Sequence, residues 1–246
     1  MNRMSSSSRP RAARIRVATL VALTVAVVST PIRPARAEPR GYRPAAAPGG
    51  APSVRIDLPY TFGTHNFEVS TLKGEVRVDW QGALAVTGRL VAPLSSVRGG
   101  SDTLNCHMRE AMGLDYSKSA FPGSHVCSGG QLPATGNDAV AFPEIAFEIK
   151  RVTLAGERSR AGQGDAEKVR VSVAGRWTIH GISRDDTLDL QLTVPAGESA
   201  HPRSIRVEGL RKIRLADYGI KVKRALVVSA GDDATVHLDL LLKVQE

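Results

Sequence analysis

The run Arg170–Asp186, R-V-S-V-A-G-R-W-T-I-H-G-I-S-R-D-D, constrains this chain more than any other stretch. Val171, Val173, Gly175, Trp177 and Ile179 alternate with Arg170, Ser172, Ala174, Arg176 and Thr178. A period of two is what an extended strand needs to show one apolar and one wetter face. His180-Gly181 supplies a turn, and Leu188, Leu190, Leu192 and Val194 then resume the alternation against Asp189, Gln191 and Thr193. A hairpin with one wholly apolar face must be covered by other apolar surface. In an all-β chain that cover is a barrel or sandwich interior.

The same alternation recurs along the chain and predicts eight strands: Val54–Leu58, Gly74–Trp80, Leu84–Val91, Ile145–Leu154, the two arms of the Trp177 hairpin, Ser204–Leu215 and Thr235–Lys243. His65–Val69 and Lys221–Ser229 are candidates for short additions. A helix is expected over Thr103–Met112, capped by Ser101 or Asp102, ended by Gly113, with Leu104, Met108, Ala111 and Met112 on one face. The stretch from Gly113 to Phe142 is long for a loop, and loops of that length tend to be lids or binding loops. The expected fold is therefore all-β: a single eight-stranded antiparallel barrel with one short helix and a stapled loop at its mouth.

The N-terminus reads as an export signal. Arg3, Arg9, Arg11, Arg14 and Arg16 precede an apolar stretch from Val17 to Val28, and Ala35-Arg36-Ala37 offers a cleavage site. The rival, a membrane anchor, would need ~20 apolar residues. No twin-arginine pair precedes the stretch, and no Cys near the site could carry a lipid. The expected division is 1–37 signal peptide, 38–52 disordered Pro/Gly/Ala linker and 53–246 barrel, which makes the mature protein periplasmic or secreted. The first 37 residues hold seven Arg and no acidic residue, so their removal takes 33 basic residues to 26 against 24 acidic ones, and the net charge from +9 to +2. That leaves too little clustered positive charge for nucleic-acid binding. Arg211, Lys212, Arg214, Lys221, Lys223 and Arg224 could favour transient contact with an anionic membrane surface, or simply solvate a strand.

Two cysteines in an exported chain suggest one disulfide. Cys106 and Cys127 enclose 20 residues, a loop whose closure is worth roughly 3 kcal/mol in the chain-entropy account. Zinc is the rival, since His107 and His125 flank them, but the spacing lacks a C-x₂₋₄-C knuckle. No metal site is expected.

The W-T-I-H-G-I-S-R hairpin and the Leu215–Ile220 turn, L-A-D-Y-G-I, resemble the YceI-like family of periplasmic lipocalin-like proteins. Further matches are F-P-E-I-A-F at 142–147, H-M-R-E-A-M at 107–112, and T-H-N-F-E-V with K-G-E-V between 64 and 76. The resemblance runs from about Val54 to Val244. It implies a lipocalin-like barrel that holds long isoprenoid or fatty-chain lipids in its lumen, with the ligand entrance near the helix.

No catalytic constellation stands out. G-x-S-x-G, H-E-x-x-H, a P-loop and a Rossmann fingerprint are absent, so the chain is read as no enzyme. His180 suits a turn, His237 the wet face of the last strand, and Asp185-Asp186 a pair pointing apart into water. What remains is the apolar interior, which pattern alone leaves either filled or hollow. Inward Gly88, Gly175 and Gly209 and the scarcity of aromatics favour room. The expected lumen residues are Val76, Val78, Trp80, Phe147, Val173, Gly175, Trp177, Leu190, Leu192, Leu238 and Leu240. His65, His107, Met108, Arg109 and Met112 are the expected mouth and lid. The function the resemblance implies is carriage or sequestration of an apolar lipid, without cofactor; an isoprenoid quinone is one form that ligand could take. The other reading is an envelope interaction module with a solid core. Monomer and homodimer are both compatible with the sequence.

Overall fold

The computed structural model describes residues 38–46, 53–80, 84–115, 140–156, 159–160, 166–198, 202–221, 224–225, 228–229 and 231–245. In chain order these form β1 (Arg40–Ala45), β2 (Val54–Tyr60), β3 (Gly63–Val69), β4 (Lys73–Asp79), β5 (Ala85–Pro93), β6 (Val97–Gly99), α1 (Asp102–Ala111), β7 (Glu144–Leu154), β8 (Ser159–Arg160), β9 (Glu167–Ile179), β10 (Ile182–Val194), β11 (Ser204–Arg214), β12 (Arg224–Ala225), β13 (Val228–Ser229) and β14 (Asp233–Val244).

Eight of these strands close a ring in the order β1-β4-β5-β7-β9-β10-β11-β14, with β14 returning to β1. Every pairing is antiparallel. Closure removes the exposed edges that an open sheet of amphipathic strands would present. The predicted all-β, eight-stranded barrel is thus present. β14 is shared at its other edge: residues 241–244 pair with β1 and residues 235–238 with β2, which continues to β3 and β6 as a flap. β12 and β13 form a separate two-stranded ribbon.

The defining hairpin pairs without a break from Ile182↔Ile179 to Val194↔Glu167. His180 (φ 51°) and Gly181 (φ 73°) both take the left-handed conformation, which a two-residue turn of matching twist requires. Histidine takes that conformation at a cost, and tertiary contacts hold it. Its Nδ1 lies 3.0 Å from the Tyr218 carbonyl oxygen, and its ring packs on Phe142. α1 begins as expected, with the Ser101 hydroxyl accepting the Leu104 N–H at 3.2 Å, and the chain turns at Gly113 (φ 82°). It lies at the end of the barrel where β10 and β14 begin, joined to it through Phe142, whose N–H donates to the Met112 carbonyl.

One expectation is overturned. Residues 38–52 were expected to be a disordered linker, yet Arg40–Ala45 is β1, the strand that closes the ring. Arg40–Tyr42 pair with β4, and Tyr42–Ala45 pair with β14. The segment R-G-Y-R-P-A shows no apolar period because it sends one large side chain inward. Backbone hydrogen bonds to both neighbours, invisible in composition, do the rest. The proposed signal, 1–37, lies outside the described residues.

Six of the wholly buried side chains lie toward the end opposite α1: Tyr42, Leu84, Val169, Val194, Pro202 and Ile205. Several charged side chains on the strands are paired. Asp185 and Asp186 do point apart, but into cations. Asp185 meets Arg176 and Lys150, and Asp186 takes both ends of Arg211. Hydrogen bonds from Arg176 and Lys150 hold the Asp185 carboxyl far below the usual range. His237 pairs with Asp57 at 2.8 Å.

Candidate functional site

The inward faces of these strands do not meet. They enclose a cavity of about 860 Å³. Native cores hold few voids larger than one water, whose share of liquid is about 30 Å³, so this interior is hollow. Of the predicted lumen residues, Val76, Val78, Phe147, Val173, Trp177, Leu190, Leu192, Leu238 and Leu240 line it.

Two do not. Trp80 is buried, but away from the cavity wall. Gly175 lies on the inward face, but its position is already occupied. A Cβ there would stand 2.5 Å from the Glu148 carbonyl oxygen and inside contact distance of the Phe147 ring. Gly175 pairs with Ile149, next to a register shift between Ile149 and Arg151. Gly209 is covered in the same way by Leu190, and Gly88 by the backbone of β4. These glycines mark close approach, not open lumen, which corrects the sequence reading.

At the helical end His65, His107, Met108 and Met112 line the cavity as expected. Arg109 does not. It is 3% exposed, away from the cavity, and burial, with Arg98 nearby, lowers its pKa. Sequence reading missed Tyr60, Glu110 and Lys221. With His65 and His107 these are the titratable residues of a wall that is otherwise apolar. Glu110 was findable, because it sits three residues from His107 on the helix, and the two side chains meet at 2.9 Å. Lys221 follows the Leu215–Tyr218 turn, where no period points to it. The segment before β14 links the turn to the β2–β3 hairpin: the Asp232 carbonyl accepts the Leu215 N–H, and the Gly231 N–H donates to the Pro59 carbonyl, both at 2.7 Å.

His65 stacks on Tyr60, ring centroids 4.0 Å apart and planes 7° from parallel. Burial lowers its pKa by disfavouring the charged ring. The folded state therefore binds fewer protons than the unfolded chain just below the ordinary imidazole value of about 6.5. This stacking should contribute its full stability above that pH and lose it as pH falls through the lowered value. Urea midpoints measured across this range should decline toward acid in wild type and less so in His65→Gln; equal slopes would refute it.

Cys106 is wholly buried in α1, while Cys127 and His125 lie outside the described residues. Among the described residues no three His, Cys, Asp or Glu side chains stand close enough to hold a metal ion. Among them, too, no helix is long and apolar enough to cross a membrane.

Residues 136–242 match the YceI-like domain. Over that stretch the chain is similar to the YceI-like domain. The match takes in β7, β9, β10, β11 and most of β14, five of the eight ring strands. Burkholderia cenocepacia BcnA aligns with a TM-score of 0.52 at 12% identity, over 76% of this chain and 95% of that one, a likeness of fold. A polyisoprenoid binding domain from Saccharophagus degradans, implicated in plant cell wall breakdown, aligns at 0.48 with 15% identity over 84% and 99%. The Campylobacter jejuni YCEI protein aligns at 0.49 with 15% identity over 73% and 85%. No curated protein matches the chain.

Proposed function

We propose that this chain is an exported binding protein that holds one long-chain apolar lipid, isoprenoid or fatty, in the barrel lumen. The observation that carries the reading is the cavity. It is large enough for a lipid chain, apolar along its walls, polar at the helical end and packed shut at the other. Burying a methylene is worth ~0.8 kcal/mol, so a long chain binds through area alone, and the YceI-like match supports the same ligand class. A fully packed core, which the interaction-module reading needs, is not what the interior offers. In this reading the titratable rim meets the lipid's head group, and the wall residues named above hold its tail.

The test is mass spectrometry of organic-solvent extracts from the purified mature protein. A long-chain lipid in near-stoichiometric amount is expected. Ala92→Phe and Val207→Phe, which fill the lumen from its wall, should fold and lose it. Extracts free of lipid, with no uptake of long-chain probes by stripped protein, would sink the proposal.

Export carries a second consequence. In the periplasm Cys106 is expected to be bonded to Cys127, tying the Gly113–Phe142 connection to α1. Replacing both with Ser should lower the melting temperature and speed amide exchange over 101–115 while strand amides stay protected. Two titratable thiols in native envelope protein would contradict it.

A further inference from the structure

Among the wholly buried side chains at the closed end of the lumen, Tyr42 is the one aromatic. Tyr42 stands opposite Val76 of β4 and Val244 of β14. Directly paired residues share a face, so Tyr42 points inward beside Val76, a residue of the cavity wall. It is 0% exposed, and its hydroxyl donates to the Pro202 carbonyl oxygen at 2.8 Å. Pro202 lies two residues before β11, which is separated from β1 in the ring by β14. The ring is thus anchored by backbone at one side of the barrel and by its tip at another. It works as a crossbar rather than a wall residue. At this end the cavity wall includes Val76, Val78, Ile205 and Leu242 but not Tyr42 or its partner on β14, Val244.

We infer that Tyr42 is the depth stop of the lumen and sets the longest chain the domain accepts, an inference that rests on the lipid reading above. Apolar walls discriminate poorly between chain lengths, because apolar attraction is non-directional and scales with area. A stop discriminates sharply. Each methylene that fits raises affinity about fourfold. The first that does not fit must protrude at the rim or displace Tyr42 and its bond to Pro202.

The experiment uses stripped mature protein titrated with saturated fatty acids and all-trans prenols of graded length. In wild type, affinity should climb with length and then flatten. Tyr42→Leu and Tyr42→Ala should move the break to longer chains, with about a fourfold gain per added methylene beyond the old break, and leave short chains unchanged. Where both variants fail to fold, wild type still decides. A fatty acid bearing a diazirine at its tail end should label Tyr42 or Val76 on photolysis. An unmoved break in a folded variant, or tail labelling at Met108 and Met112 instead, overturns the depth stop while leaving the lipid reading intact. No saturable binding of any probe to wild type overturns both.

Discussion

A chain shortened to begin at Ser53 is expected to lose cooperative folding or most of its stability. Its loss removes the strand that bridges β4 and β14 and leaves both with unpaired edges. It also takes away Tyr42, whose truncation alone should cost about 3–5 kcal/mol by analogy with other large aromatic side chains. The Pro202 carbonyl is orphaned as well, a loss of about 1–3 kcal/mol if it stays buried. Against a total of about 5–15 kcal/mol for an ordinary domain, that sum is decisive. Urea denaturation followed by Trp fluorescence measures it, with Tyr42→Phe reporting the hydroxyl alone. A shortened chain with the wild-type midpoint would show that residues 38–46 only decorate the barrel.

Gly175→Ala should destabilise the protein by at least about 1–3 kcal/mol, and Gly175→Leu by more. At a strand position with room, adding a methyl to glycine stabilises by about 0.4–1 kcal/mol through the unfolded chain, so the prediction has a sign as well as a size. Here the added carbon meets the Glu148 carbonyl oxygen and the Phe147 ring. The ring could turn, but the carbonyl is fixed in the β7–β9 ladder. Phe147 packs on Trp177, centroids 4.6 Å apart, so the displacement should also shift the Trp177 emission. Gly175→Ala at or above wild-type stability would mean that the two strands do not approach as closely as described.

The two predictions mark the limits of reading this chain in one dimension. The arms of the Trp177 hairpin were legible because an alternating pattern is a local property. Neighbouring residues in an extended chain face opposite ways whatever the fold, so Val171, Val173, Leu190 and Leu192 declare an inner face by themselves. The helix was legible for the same reason, through Ser101, its apolar spacing and Gly113. Of the cavity wall, nine of the eleven strand residues expected in the lumen line it, as do His65 and His107 at the rim. Arg109 was misplaced by its neighbours on a helix that buries more than one side. Lys221 sits in a turn, where no period exists to read.

What the sequence determined by itself was the class of element, the inward face of the alternating strands and the YceI-like order of motifs. Tertiary structure alone decided that Arg40–Ala45 closes the ring, that Gly175 lies beneath Phe147, and that the inward faces stand far enough apart to leave about 860 Å³ between them. The physical reason is one of range. Which way a side chain points depends on the residues beside it, whereas closure, close approach and emptiness depend on distances between segments remote in the chain. Tyr42, 160 residues from the carbonyl that holds it, belongs to the second kind.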